Sequence, residues 1–133
     1  MSFVSKEEIE ARAEETWAAI KDKTLSPKER TAIPQQEMPV QEPSVRRRNM
    51  NEVALGYSEV QARVEASRCL QCKNAPCMKG CPVAIDIPGF IHQIAQGDYA
   101  GALAVIRRTS ILPAICGRVC PQENQCQKFC TVG

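Results

Sequence analysis

The first 23 residues carry a narrow apolar stripe on an otherwise polar segment. Four apolar residues recur at spacings of three and four, which places them on one face of a helix: Ile9, Ala13, Trp17 and Ile20. Ser5 and Glu8 have the pattern of a capping box, in which each side chain accepts a hydrogen bond from the other residue's backbone. We therefore predict an N-terminal amphipathic helix within residues 1–23 that packs on another surface.

Residues 24–57 lose this periodicity. The segment is polar, is interrupted by prolines and ends in three arginines: Pro27, Pro34, Pro39, Pro43, Arg46, Arg47 and Arg48. Proline interrupts helix interiors because it lacks the N–H donor and clashes with the preceding turn. The pattern predicts a proline-rich extended arm over residues 24–57.

Helical signals return at residue 58. Ser58 and Gln61 form a second capping box, Pro88 opens a helix that Gly97 ends, and Asp98 caps the next helix. In that last helix, four residues at i, i+3, i+4 and i+7 are expected to form a buried face: Tyr99, Ala102, Leu103 and Ile106. No alternating strand pattern of useful length occurs. We predict an all-α fold, with a small helical domain over residues 58–133 that carries cysteine loops at both ends of a helical hairpin.

Composition indicates a thin hydrophobic core. The hydrophobic content of 44% includes many alanines and eight cysteines, and Leu, Ile, Val and Phe make up only about a fifth of the chain. The length of 133 residues suits one small domain with an arm and makes a two-domain enzyme with its own cofactor fold improbable. The net charge is only +2, the arginine run lacks interleaved aromatic residues, and no apolar run approaches the roughly 20 residues that span a bilayer. We expect neither a nucleic acid nor a membrane as a partner.

All eight cysteines lie between Cys69 and Cys130. The N-terminus has no charged segment followed by an apolar run, so no secretory signal is predicted and a cytoplasmic location is expected. Thiols stay reduced in that compartment, which favours thiolate ligands over disulfides.

The cysteines form two runs with short spacings, C-x2-C-x4-C-x3-C followed by Pro82, and C-x3-C-x5-C-x3-C with Pro121 after its second member: Cys69, Cys72, Cys77 and Cys81, then Cys116, Cys120, Cys126 and Cys130. The first run is similar to the bacterial ferredoxin run C-x2-C-x2-C-x3-C-P, with two additional residues. Zinc also binds four thiolates, usually from two separate pairs, and a disulfide scaffold would leave the two Cys-Pro pairs without a role. We favour iron–sulfur clusters, with zinc and disulfides as the alternatives.

Four short motifs carry a resemblance to a known family: RCLQC at 68–72, CPV at 81–83, IDIP at 85–88 and ICGRVCP at 115–121. Over about residues 46–133 the chain resembles the N-terminal iron–sulfur domain of the glutamate synthase small subunit, and the related domains of dihydropyrimidine dehydrogenase and of NADH-dependent ferredoxin:NADP oxidoreductases. The resemblance implies an alpha-helical ferredoxin-type domain with two interleaved 4Fe-4S clusters. It also implies that FAD and NAD(P)H bind only in a C-terminal flavoprotein module that the 133 residues do not contain.

The resemblance further implies the ligands of each cluster. The first cluster would be bound by Cys69, Cys72, Cys77 and Cys130, and the second by Cys81, Cys120 and Cys126. In the family, the fourth ligand of the second cluster is a Gln or Glu downstream of the last cysteine, which we expect to lie beyond Gly133. Cys116 matches a family cysteine that is usually not a ligand, whereas counting alone would make it one. We hypothesise that Cys116, water or a buffer anion completes the second site in this chain.

The expected function is electron transfer within a larger oxidoreductase of the glutamate synthase type, between an NAD(P)H-reduced FAD module and a partner redox subunit. No G-x-G fingerprint, acid–base pair or nucleophile constellation occurs, so no catalytic residue is assigned. The alternatives are the iron–sulfur domain of another flavin oxidoreductase, a stand-alone ferredoxin-like carrier, and a structural module in which metal only stabilises subunit docking. Since interleaved clusters would crosslink distant segments, we expect the metal-free chain to be largely unfolded.

Overall fold

The computed structural model describes residues 3–133, which divide into two compact units, Met1–Glu65 and Ala66–Gly133. We call these the N-terminal unit and the cysteine unit. The described residues form helices and turns without a β-strand, apart from one isolated antiparallel bridge between Val40 and Ala54. The predicted all-α fold is therefore confirmed. Within this range, no helix is both long and apolar enough to cross a membrane.

The N-terminal unit begins with α1 (Lys6–Ile20). Its capping box forms as predicted, since the Glu8 N–H donates to Ser5 Oγ at 3.2 Å and the Ser5 N–H donates to Glu8 Oε2 at 3.1 Å. Ile9 and Ala13 are buried, and the guanidinium of Arg63 lies 4.3 Å from the centroid of the Trp17 ring. The first two residues of the predicted segment 1–23 lie outside the described residues.

Residues 24–57 are not extended throughout, in contrast to the predicted arm. They contain α2 (Pro27–Ala32) and α3 (Pro43–Arg46), each with proline at its first helical position. Proline is well accepted there because that N–H has no helical partner and the fixed φ suits the helix. Further hydrogen bonds tie the segment to α4 (Glu59–Ser67), including one from the Gln36 N–H to Glu65 Oε2 at 2.8 Å. Two of the four prolines, Pro27 and Pro43, therefore begin helices in a folded segment.

The boundary between the units falls inside α4, between Glu65 and Ala66. It lies eight residues after the boundary predicted at 57/58. The capping box of this helix was predicted correctly, with the Ser58 N–H donating to Gln61 Oε1 at 3.1 Å and the Gln61 N–H donating to Ser58 Oγ at 3.2 Å. Gln61 also donates to the Glu37 carbonyl at 3.1 Å, which assigns the first turns of α4 to the N-terminal unit.

The cysteine unit contains four further helices and two 3₁₀ turns: α5 (Pro76–Lys79), α6 (Ile87–Gln96), α7 (Tyr99–Arg107), α8 (Pro113–Val119), Gln122–Asn124 and Gln127–Phe129. Helices α6 and α7 pack against each other as a hairpin. Asp98 caps α7 through the Gly101 N–H at 2.8 Å, and Gly97 ends α6 with φ +81°. The helical hairpin, the end of α6 at Gly97 and the cap of α7 at Asp98 match the sequence prediction.

Few apolar side chains are buried in the cysteine unit. The buried hydrophobic residues of this unit are Ala66, Ala102 and Val105. The predicted buried face of α7 was correct for Ala102 and wrong for Tyr99 and Leu103, which are exposed, because the buried side of the helix includes Val105 instead. The thin core expected from composition is confirmed.

Candidate metal centre

None of the eight cysteines, all of which are described, forms a disulfide. Seven are partly buried and Cys130 is exposed. Four of them lie in or next to the loop around α5, one lies on α8, and three follow α8 around the 3₁₀ turns. The donor set therefore consists of thiols carried on short loops, which is the chemistry that iron–sulfur clusters use.

One group of thiols brings the first cysteine loop next to the last cysteine. Burial raises the pKa of the Cys77 thiol, and the nearby Cys130 and Cys69 raise it further because neighbouring thiolates repel. Cys72 Sγ lies 3.8 Å from the hydroxyl oxygen of Thr131, the residue after Cys130. Cys69, Cys77 and Cys130 therefore lie near one another, and Cys72 lies beside the residue that follows Cys130.

A second group surrounds Cys120. Desolvation raises the pKa of the Cys120 thiol, followed by the charge and the hydrogen bond of Cys116 and then by Cys81 and Cys126. Burial also raises the pKa of Cys126, where Cys81 contributes repulsion, with a smaller contribution from Cys130. Cys81 of the first loop therefore lies beside thiols of the second run, which is an interleaved arrangement.

Backbone packing holds the two cysteine loops together. Gly80, between Cys77 and Cys81, approaches Gln125 and Phe129 so closely that an added Cβ would lie 2.5 Å from the Gln125 carbonyl oxygen. Real Cβ atoms essentially never come that close, so only glycine fits without a shift. This contact places α5 directly against the turn between Cys126 and Cys130.

Three non-glycine residues around the first cysteine run adopt left-handed backbone conformations. Gln71, Ala75 and Ala84 have φ values of 51°, 37° and 51°. Such conformations cost an L-residue about 1–2 kcal/mol each and cluster at functional sites. The N–H groups of Ala75 and Ala84 donate to the carbonyls of Cys72 and Cys81 at 3.0 Å, so these residues close tight turns that begin at cysteines.

Two hydrogen bonds to cysteine sulfur were not anticipated from the sequence. Gln71 Nε2 donates to Cys69 Sγ at 3.4 Å and to the Pro88 carbonyl at 3.1 Å, and the Val132 N–H donates to Cys130 Sγ at 3.5 Å. Both accepting cysteines belong to the first group. The sequence offered one signal for the first of these bonds, a glutamine placed between two cysteines. The direction of its side chain could not be predicted, because it depends on the left-handed backbone at Gln71.

The residues fit an iron–sulfur cluster by donor chemistry. Within residues 3–133, no three His, Cys, Asp or Glu side chains converge tightly enough for one metal ion. A 4Fe-4S cluster makes a different demand, because each cysteine binds its own iron atom and the ligand sulfurs stand apart. The described thiols, which come from two loops, are of the type that such a cluster binds. The ligand set of each cluster, including the role of Cys116, stays a prediction.

Comparison with known proteins identifies the relatives of this chain. The sequence profile of a family described as dihydropyrimidine dehydrogenase domain II, 4Fe-4S cluster, matches residues 46–133. The chain is 42% identical over 82 residues to the NAD-dependent dihydropyrimidine dehydrogenase subunit PreT of Escherichia coli K12, covering 62% of this chain. It is 38% identical over 88 residues to the small chain of glutamate synthase [NADPH] from the same organism, covering 66% of this chain.

The matched region is a small part of each relative. It covers 20% of the PreT subunit and 19% of the glutamate synthase small chain. The relatives are thus subunits of oxidoreductases that contain much more protein than the region shared with this chain.

Proposed function

The chain belongs to the family of dihydropyrimidine dehydrogenase domain II, a 4Fe-4S domain, and from this premise we propose that it is a two-cluster electron relay. Cys69, Cys72, Cys77 and Cys130 hold the first cluster. Cys81, Cys120 and Cys126 hold the second, with Cys116 beside it as the fourth ligand or as a neighbour. The observation that carries the proposal is the interleaving: Cys72 Sγ lies 3.8 Å from the hydroxyl of Thr131, which follows Cys130, and Gly80 packs directly against Gln125, which precedes Cys126.

The chain's own residues bind the clusters and set their environment. A bound 4Fe-4S cluster supplies a centre that takes up and returns a single electron. Gln71 and the Val132 N–H place donors on the sulfurs of Cys69 and Cys130, which offsets thiolate charge and favours the reduced state. Both hydrogen bonds act on the first site, which supports a reduction potential there that the surrounding residues adjust.

The proposal extends to the parts that lie outside the matched region. FAD and NAD(P)H bind to a separate flavoprotein module, and the relay passes electrons from reduced FAD to a partner redox subunit, as the small chain of a glutamate synthase would. The similarity to PreT supports a dihydropyrimidine dehydrogenase type of enzyme as the second assignment. We place the chain in the cytoplasm, where thiols remain reduced for cluster assembly.

Anaerobic reconstitution of the 133-residue chain tests the relay. We expect about eight irons and about eight sulfides per chain, a broad visible absorption, and electron paramagnetic resonance signals after reduction by dithionite that disappear on reoxidation. Two matched variants assign the sites: Cys77→Ser should lose the first set of signals and Cys120→Ser the second.

Several results would contradict the proposal. A colourless protein that binds zinc would overturn the metal assignment. Clusters that form but cannot be cycled by dithionite and a flavin acceptor would favour a structural module that only docks subunits. Loss of the same signals in both variants would show one site instead of two.

A further inference from the structure

Helix α8 carries an exposed apolar ridge beside the second thiol group. The ridge consists of four large aliphatic side chains with exposed fractions of 88%, 53%, 54% and 69%: Ile111, Leu112, Ile115 and Val119. Leu112, Ile115 and Val119 follow the spacing i, i+3 and i+7, so they lie on one face of α8. Large aliphatic residues are usually buried, and a contiguous exposed group of them marks an interaction site.

Positive charge accompanies this α8 ridge along the chain. Arg107 and Arg108 precede it at the end of α7, and Arg118 lies next to Val119, with its Nη1 donating to the Ala114 carbonyl at 2.9 Å. No Asp or Glu occurs from Tyr99 to Gln122. A partner that fits this surface would therefore present an apolar centre surrounded by carboxylates.

The α8 ridge is also close to the electron-transfer site. Cys116 lies on the same helix, and Cys120 follows Val119 directly. The Cys120 N–H donates to the Cys116 carbonyl at 3.0 Å, so both thiols are carried by the end of this helix. Since electron transfer slows steeply with distance, a partner docked on α8 would stand next to the second site.

Resting on the function proposed above, we infer that the α8 ridge is the docking surface through which the second site exchanges electrons with a redox protein whose contact surface is apolar at its centre and acidic at its rim. A second copy of this chain fits less well, because a two-fold contact would place arginines against arginines. A ridge of only four side chains suits the small contact areas typical of brief encounters between redox partners.

Electron transfer to an acidic flavodoxin tests the inference. The reconstituted chain, reduced with dithionite and freed of excess, is mixed with oxidised flavodoxin in a stopped-flow instrument. Each reduced cluster gives up one electron, and the flavin takes up that electron and a proton to form its neutral semiquinone. Free riboflavin serves as an acceptor with the same chemistry and no protein surface.

Two double variants probe the two parts of the surface. Ile115→Gln with Val119→Gln should lower the second-order rate to flavodoxin about tenfold and leave the rate to riboflavin unchanged. Arg107→Gln with Arg108→Gln should lower the flavodoxin rate several-fold at low salt and flatten its dependence on ionic strength. Met50→Gln and Lys28→Gln, at exposed positions of the N-terminal unit, are the matched controls and should change neither rate.

The outcomes separate this inference from the proposed function. If both double variants keep the wild-type rate and salt dependence, the docking surface is wrong while the relay stands. If the variant with Ile115→Gln and Val119→Gln loses iron, the flavodoxin rate and salt dependence of the Arg107→Gln, Arg108→Gln variant test the docking surface alone. A concentration-dependent dimer that disappears in the apolar variant would assign the ridge to a second copy and overturn the inference. A wild-type chain that reduces neither acceptor would refute the relay itself.

Discussion

Gly80 lies against the backbone of Gln125, with 2.5 Å between an ideal Cβ on the glycine and the carbonyl oxygen of the glutamine. The two residues come from opposite ends of the cysteine unit, one inside the first cysteine run and the other just before Cys126. Their contact is independent of any metal, since it joins backbone to backbone. A substitution that disrupts this contact therefore tests whether the interleaved arrangement is needed for cluster binding.

Replacing Gly80 with alanine should damage both proposed sites. The added methyl group meets a backbone carbonyl and the Phe129 ring, and overpacking of this kind costs about 1–3 kcal/mol. We expect a lower midpoint of thermal unfolding and incomplete iron loading of both sites. Gly117→Ala is the matched control, because an added Cβ there would meet no atom within 4 Å beyond its chain neighbours and its own helix backbone, and it should load iron normally. Full loading of Gly80→Ala would show that the loops can separate without loss of the sites.

The left-handed backbone at Ala75 predicts an unusual pair of substitutions. Ala75→Gly should change the free energy of unfolding by less than about 1 kcal/mol, because relief of the φ of 37° is offset by a more flexible unfolded chain. Ala75→Val should destabilise by about 1–2 kcal/mol or more, since a β-branched residue is poorly accepted there. Chemical denaturation of the iron-loaded chain measures both. Equal stability of the valine and glycine variants would mean that this conformation is not retained.

The Gln71 amide should tune the first site. Gln71→Met keeps the size of the side chain and removes the donor to Cys69 Sγ. A net hydrogen bond of about 0.5–1.5 kcal/mol corresponds to about 20–60 mV for one electron, so the reduction potential of the first cluster should fall by that amount. Spectroelectrochemical titration should show the second cluster unchanged. Gln96→Leu, on the exposed end of α6, should shift neither potential.

The role of Cys116, as a ligand of the second cluster or as a neighbour of it, can be tested by substitution. Cys116 is the foremost charged neighbour of Cys120, one helical turn away along α8. In the 133-residue chain we expect Cys116→Ser to lower the iron content of the second site and to preserve the signals of the first. Iron analysis and electron paramagnetic resonance, with Cys120→Ser as the benchmark for full loss, measure this. Unchanged iron and spectra would assign Cys116 a position beside the cluster, as the resemblance to the family implies.

Removal of iron should unfold the cysteine unit. Its buried apolar residues are two alanines and one valine, which cannot offset the conformational entropy of its chain. We expect chelation under anaerobic conditions to abolish slow amide exchange in residues 66–133, with recovery on reconstitution. Hydrogen exchange of the N-terminal unit, whose buried residues include Ile9, Ile33 and Val64, provides the internal comparison. Full retention of protection in the cysteine unit without iron would contradict this role of the clusters.

Local signals were readable from the sequence where one short motif determines the geometry. The boxes at Ser5 and Ser58 and the cap at Asp98 all form, because a side chain and a backbone N–H a few residues apart can satisfy each other without help. The helices within residues 24–57 were missed because the same residue type, proline, can either begin or interrupt a helix. Proline at the first position of a helix and proline as a helix breaker look alike unless the cap before it, such as Ser26 before Pro27, is given weight.

The site was less predictable than the helices. Spacing predicted the cysteines as ligands, but the proximity of Cys77 to Cys130 depends on packing between segments that are far apart in the chain. The positive φ values of Gln71, Ala75 and Ala84 left no trace in the sequence, because glycine is absent from all three positions. The contact between Gly80 and Gln125 was likewise invisible until both loops were placed.

The meeting of the first and last cysteine loops also imposes an order on biosynthesis. The ribosome releases Cys69, Cys72, Cys77 and Cys81 before any of their neighbours from the second run, and Cys130 emerges last of the eight. On the ligand sets proposed above, the first cluster gains its last ligand only when Cys130 has been made, so its assembly follows synthesis of the final cysteine turn.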